Sequence, residues 1–351
     1  MRGWECGGST SQASYHLLGM LCCHCEYKNI NHLQIHWIPV QKKTGITALV
    51  PPELIYACSS EPLDVNNVIP GSKNYPRNKL CAWTAIWQEM LSKRQIKIDS
   101  LIVVAGGDCH NALVDGQKVA MSGIPTHFFF YPFDGDPDYL ESQLYKLSDF
   151  LGNIECPEKP GQIRELKEIG QKIDKKRSEG RLSSGDAFRI MISFSDLMGD
   201  IDKFREAISL TKEQHIEINN RVALIGVPPI FHDFHDVAQS LGLQVVFDEL
   251  PFEFLRHSGT DIPEIARNYC DYTFARPLEF RIDFLRKELE KRRVDGVIHY
   301  TQFACHHMLE DEIMRSRLDY PMLTIQGDLP GNTPEQIKLR LEAFREALER
   351  S

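Results

Sequence analysis

The chain has 351 residues, 42% of them apolar and 25% charged, with a formal net charge of −9. That acidic balance speaks against a nucleic-acid-binding protein, which carries a basic face, and the length accommodates about two to three domains. No apolar stretch approaches the ~20 residues of a membrane-spanning helix.

Residues 1–44 are rich in Cys, His and Gly, show weak periodicity, and read as an extension that belongs to neither of the domains that follow. The apolar patch Tyr15–Cys25 has no basic run before it and no small-residue cleavage site after it, so a signal peptide is not expected. A cytoplasmic chain is therefore expected, whose ten cysteines are free, metal-bound or catalytic rather than paired in disulfides.

From residue 45, "GITALVPPELIYAC" predicts a short strand running through Pro51-Pro52 into a helix, because proline suits a first helical turn. "CAWTAIWQEMLSKRQIKI" (81–98) has helical apolar spacing, and "SLIVVAGG" (100–107) reads as a buried strand. "GIPTHFFFYPFDGD" (123–136) predicts another strand closed by turn residues. Residues 137–219 are helical in pattern throughout. Strands at 222–231, 243–250, 295–300 and 320–327, a helix near 277–293 and a last helix at about 333–349 complete the chain. Strands alternating with helices imply parallel sheets. The expected architecture is α/β: two Rossmann-like domains, 45–150 and 220–351, separated by a helical segment, 151–219.

The two α/β regions look like copies. Asp99–Pro125 set against Asp295–Pro321, at a constant offset of 196 and without gaps, is identical at seven of 27 positions. The identities are Asp99/Asp295, Ile102/Ile298, Cys109/Cys305, His110/His306, Leu113/Leu309, Asp115/Asp311 and Pro125/Pro321. A second echo pairs "LVPPELI" (49–55) with "GVPPIFH" (226–232). Ligands of open parallel sheets bind beyond the carboxyl ends of the strands, so two facing domains would bring Cys109 and Cys305 to one cleft.

Three roles compete for these thiols. They could be small buried hydrophobes. They could hold structural zinc, although that ion favours short paired spacings that are absent here. They could hold an iron–sulfur cluster, which takes thiolates from separated loops. A cluster needs a further ligand, for which Cys81, at a helix start that favours a thiolate, is the first candidate and Cys270 the reserve. Cys58 falls on an apolar helix face and Cys156 in a polar loop. His110 and His306 could hydrogen-bond cluster sulfurs or move protons nearby. The glycines before Cys109 would let a bulky inorganic ligand approach the backbone. The "CCHC" at 22–25 and the "FHDFHD" at 231–236, with His232, Asp233, His235 and Asp236, are metal-like in composition, but each has a simpler local explanation. Arg276 and Arg281 could meet ligand phosphates; an ordinary solvated helix face accounts for each.

The segments "VPPELIYACSSEPLDV", "RNKLCAWTAIWQEML", "AGGDCHN…GIPTHFFFYP", "DGVIHYTQFACHH" and "YPMLTIQGDLPGNTPEQIKLRLEAF" resemble, in order and spacing over about 45–350, the 2-hydroxyacyl-CoA dehydratase D-component family, which includes benzoyl-CoA reductase subunits. The resemblance implies that Cys81, Cys109 and Cys305 hold a [4Fe-4S] cluster with one open iron. It implies one-electron reduction by an ATP-dependent iron–sulfur activator protein, a ketyl radical anion of the acyl-CoA, and loss of water. It also implies a paralogous partner subunit in a heterodimer, or a homodimer. A benzoyl-CoA-reductase-like or double-cubane-like ATP-driven reductase, or a non-catalytic electron-transfer protein, are the alternatives. Phe252 and Phe254, in "DELPFEFLRHSG", fall where the second domain should approach the cleft.

Overall fold

The computed structural model describes residues 42–73, 80–106 and 109–350. In chain order, β1 (Lys42–Ile46), α1 (Pro52–Ala57), β2 (Ser60–Asp64), α2 (Ala82–Ser92), β3 (Ser100–Gly106), α3 (His110–Met121) and β4 (Thr126–Phe130) form the first α/β lobe. Its four strands are parallel in the order β2-β1-β3-β4. α4 (Pro137–Leu151), α5 (Lys159–Ser178), α6 (Ser184–Ile192) and α7 (Ile201–Ser209) follow. Helix ends there: Thr211–Ile218 is irregular, where the sequence pattern had suggested more helix.

The second lobe contains β5 (Asn220–Gly226), α8 (Phe234–Ser240), β6 (Leu243–Asp248), α9 (Glu249–Glu253), α10 (Ile262–Tyr269) and α11 (Leu278–Lys291). It ends with β7 (Gly296–Gln302), α12 (Asp311–Leu318), β8 (Met322–Gly327) and α13 (Glu335–Leu348). Its order, β6-β5-β7-β8, is that of the first sheet. The α/β architecture of two parallel sheets joined through helices is as expected. β2 carries no strand signal because "SEPLD" includes Pro62. It is tolerated there because β2 is an edge strand, so the missing N–H breaks no ladder.

The offset of 196 carries into three dimensions. β3 and β7 coincide at that offset to the residue, and so do the starts of α2 and α11. The identical residues do identical work. Asp99 Oδ2 accepts the Lys43 N–H at 2.8 Å, and Asp295 Oδ2 accepts the Arg221 N–H at 2.7 Å. The Pro125 carbonyl accepts from Leu101 and the Pro321 carbonyl from Val297, both at 2.8 Å. These contacts set the register at which each central strand enters its sheet.

One apolar cluster joins the lobes: Ile86, Trp87, Ala105 and Ala112 of the first pack in the same body as Leu224, Phe234 and Tyr300 of the second. Each fully buried large side chain there contributes ~1.5–3 kcal/mol. A second cluster lies under α4–α7 and a third under α11 and α12. Buried charges tie α5 to the second lobe: Arg177 pairs with Asp174 and Asp248, and Arg292 reaches Asp174 at 2.6 Å.

Candidate functional site

In the strand order 2-1-3-4 the crevice opens beyond the carboxyl ends of the central pair, where the connections depart to opposite sides. Cys109 follows β3 and Cys305 follows β7, at those two crevices. Cys109 is the residue before α3, half-buried against the apolar cluster shared by both lobes. Cys81 is the residue before α2 and is buried. Cys305 closes a tight turn, its N–H donating to the Gln302 carbonyl at 2.9 Å, and precedes the short 3-10 turn His306–Glu310.

The lobes meet at these turns. The His110 and His306 rings stack with centroids 4.5 Å apart. Asn111 Nδ2 donates to the Ala304 carbonyl at 3.0 Å. Burial pushes the Cys305 thiol up to about 12; the His307 N–H opposes the rise and the neighbouring Cys81 sulfur adds to it. Burial likewise raises Cys81, against hydrogen bonds from the Thr84 and Trp83 N–H groups and from Asn111. The turns that carry Cys109 and Cys305 thus meet through the stacked His110 and His306, and the Cys81 sulfur lies close enough to Cys305 to raise it.

Raised thiol pKa values do not suit a nucleophile, which needs its thiolate free at neutral pH. They suit ligands that give up a proton only when metal arrives. Burial holds His306 down to about 3, helped by the His307 and His110 rings, so it is neutral at physiological pH.

Among the described residues, His306, His307 and Glu310 are the set whose ligand atoms all lie within 4.8 Å of one another. They are already served by a cation. Arg281 donates to Glu310 at 2.6 Å, lies 3.2 Å from His307 Nδ1, and also grips Glu249. Glu310 is held down to about 2: burial pushes it up, but His307 and Arg281 outweigh that. An added metal ion would have to displace the guanidinium.

The other candidate residues take separate places, and the readings of Arg281 and Arg276 need correction. Arg281 is not on a solvated helix face; it is 2% exposed and wholly engaged. Arg276 is paired with Asp271, stacked over Phe280 and bonded to the Cys270 carbonyl. Both guanidinium groups are paired with carboxylates of the chain itself. Phe252 is half-buried against Phe247 and Phe284, and Phe254 is a core residue under the helical segment. The "FHDFHD" side chains diverge: Asp233 holds Thr333, His235 pairs with buried Asp248 at 2.8 Å, and Asp236 pairs with Arg189. Cys270 ends α10, donates to the Arg267 carbonyl and lies in the apolar cluster under α4–α7. Cys58 is core beside Ser148, and Cys156 is half-buried against Ser59. Gly106 leaves room for Phe130 of β4, since a Cβ there would come within 2.8 Å of that ring. Gly107 and "CCHC" lie outside the described residues.

The sequence reading missed Asn111, Glu249 and Pro277. Carrying the offset back from the matched segment would have found the last of these. At the offset of 196 Cys81 corresponds to Pro277, each the residue before its helix. The duplication thus yields three thiols rather than four.

Fold and site together define a two-lobed α/β protein, built by duplication, that gathers cysteines from both lobes where its strands end. Residues 47–348 match the family of the 2-hydroxyglutaryl-CoA dehydratase D-component. The chain belongs to that family and is a 2-hydroxyacyl-CoA dehydratase-like subunit. No curated protein matches it. No helix among the described residues is long and apolar enough to cross a membrane.

Proposed function

We propose that the chain is the iron–sulfur subunit of a 2-hydroxyacyl-CoA dehydratase-like enzyme, with Cys81, Cys109 and Cys305 as the ligands of a [4Fe-4S] cluster. The carrying observation is the convergence of three cysteines, each immediately before a helical turn, from two copies of one fold. The donor set fits. Three thiolates from separated loops could ligate the cluster's iron, and the N–H groups pointing at Cys81 and Cys305 would stabilise its negative charge. The position that a fourth thiolate would take by symmetry is Pro277, which leaves one corner without a protein thiol.

When bound, such a cluster supplies a low-potential electron and an open iron, the chemistry needed to eliminate water from a 2-hydroxyacyl-CoA. The chain's own residues do the rest. The shared apolar cluster excludes water from the inner wall of the cleft, and the stacked His110 and His306 join the two ligand turns. His306, neutral at its lowered pKa, can exchange a hydrogen bond with the site without adding charge. An ATP-dependent activator supplies the electron, and a paralogous subunit or second copy completes the enzyme.

The test is turnover. Anaerobic protein, mixed with a purified activator of this family, ATP and a reductant, is offered 2-hydroxyacyl-CoA thioesters. Formation of the enoyl-CoA is the expected result. Reduction of an aryl- or enoyl-CoA instead would move the chain to the reductase branch, and inertness toward every thioester would contradict the enzymatic role.

A further inference from the structure

Asn111 stands where the three cysteine-bearing turns meet. It is the second residue of α3, two positions after Cys109. Its Nδ2 donates across the cleft to the carbonyl of Ala304, 3.0 Å away, the residue before Cys305. The same side chain lies beside Cys81 and helps hold its thiol down against burial. One carboxamide therefore touches the segments of all three thiols. The peptide it holds is an unusual one: Ala304 has φ of +61°, a left-handed conformation that a residue with a Cβ keeps only when its surroundings impose it. The twin position, His307, is buried against Phe274 and Glu310, so the second lobe offers no counterpart of this amide.

We propose that Asn111 is a positioning residue of this site: its amide latches the Cys305 turn to α3 and directs an N–H at the Cys81 sulfur, and so sets the reduction potential of a cluster bound there. The proposal rests on the cluster reading above. The physics is electrostatic. A reduced cluster carries one more negative charge than the oxidised one, and an N–H dipole aimed at a ligand sulfur stabilises that charge. Hydrogen bonds to the sulfurs are among the main determinants of cluster potential. Losing the donor favours the oxidised state, and losing the latch lets the Cys305 turn drift.

The test uses the full chain, purified anaerobically with its cluster, as wild type, Asn111→Leu and Asn111→Gln. Equilibrium redox titration by EPR reads the potential, and iron loss to a chelator reads the latch. For Asn111→Leu the equilibrium constant for reduction should fall about tenfold, which is 59 mV more negative for one electron, and iron should be lost faster. Asn111→Gln keeps the amide and should recover part of both. Should the leucine variant hold no iron, the titration is run on Asn111→Ser, where an intermediate shift is expected and an unchanged potential overturns the proposal. A leucine variant with wild-type potential and chelator resistance also overturns it. A wild-type chain that takes up no iron overturns the cluster reading itself, and this proposal with it.

Discussion

The two lobes share strand order, register contacts and a Cys-His turn, yet the ground beneath those turns differs. Under Cys305 lies a buried charged network: Arg281, Glu249, Glu310 and His307, with His299 pairing Asp311 at 2.7 Å alongside. At the same offset the first lobe has Ala85, Val114, Asn111 and Val103 in place of Arg281, Glu310, His307 and His299. Cys109 leads straight into the 12-residue α3, whereas Cys305 leads into a 3-10 turn and an eight-residue helix. Duplication supplied the geometry twice. One copy is stiffened by apolar packing of a long helix, the other by ion pairs that fix a shorter and more irregular turn.

The ends of β2 and β6 show the same divergence. Asp64 is raised to about 7 by burial and by the nearby Asp196 carboxylate. Asp248, equally buried, is held below the usual carboxylate range because His235 and Arg177 outweigh the burial.

The sharpest way to break the comparison is to complete the symmetry. Pro277 and Cys81 have similar backbone angles before their helices, so Pro277→Cys should fold and offer a fourth thiol. Iron content should be unchanged while turnover drops at least about tenfold as the open corner is closed. Equal turnover would show that this corner is not the substrate's. Next, Arg281→Met leaves Glu249 buried without its cation and should cost about 3–5 kcal/mol in urea unfolding. Lys93→Met, which removes the exposed partner of Glu89 in the first lobe, should cost less than about 1 kcal/mol. Similar costs would erase the distinction between the lobes.

The aspartates predict opposite pH slopes. For Asp64, with its folded pKa above the unfolded one, the stabilising contribution is complete below about pH 4 and is lost as pH rises through about 7. Asp64→Asn should therefore flatten the decline between pH 5 and 8. For Asp248 the contribution is present above about pH 4 and lost on acidification, so Asp248→Asn should destabilise at pH 8. Urea midpoints at both pH values check the two signs. The smallest effect is at Ala304. Its φ of +61° suits glycine, and Ala304→Gly should stabilise by about 0.5–1 kcal/mol.

What the sequence disclosed was whatever carries periodicity or repeats. β3, β7 and the Cys-His turns were legible because apolar runs end at residues that recur at one offset. β2 was not, because edge position excuses Pro62 and only the sheet reveals an edge. Arg281 was misjudged because a charged residue on an amphipathic helix looks solvated; its burial depends on Glu249 and Glu310, 32 and 29 residues away. Asn111 gave no signal at all, since its partners lie in other turns and, for Ala304, 193 residues distant.

The central claim, that thiols from both lobes grip one cluster, is tested most directly by iron and sulfide analysis with EPR on anaerobically purified wild type, Cys109→Ala and Cys305→Ala. The account predicts about four iron and four sulfide per wild-type chain and loss of most of both when either lobe's cysteine is removed. Wild-type protein that cannot be loaded with iron, or a cluster indifferent to Cys305→Ala, would contradict it.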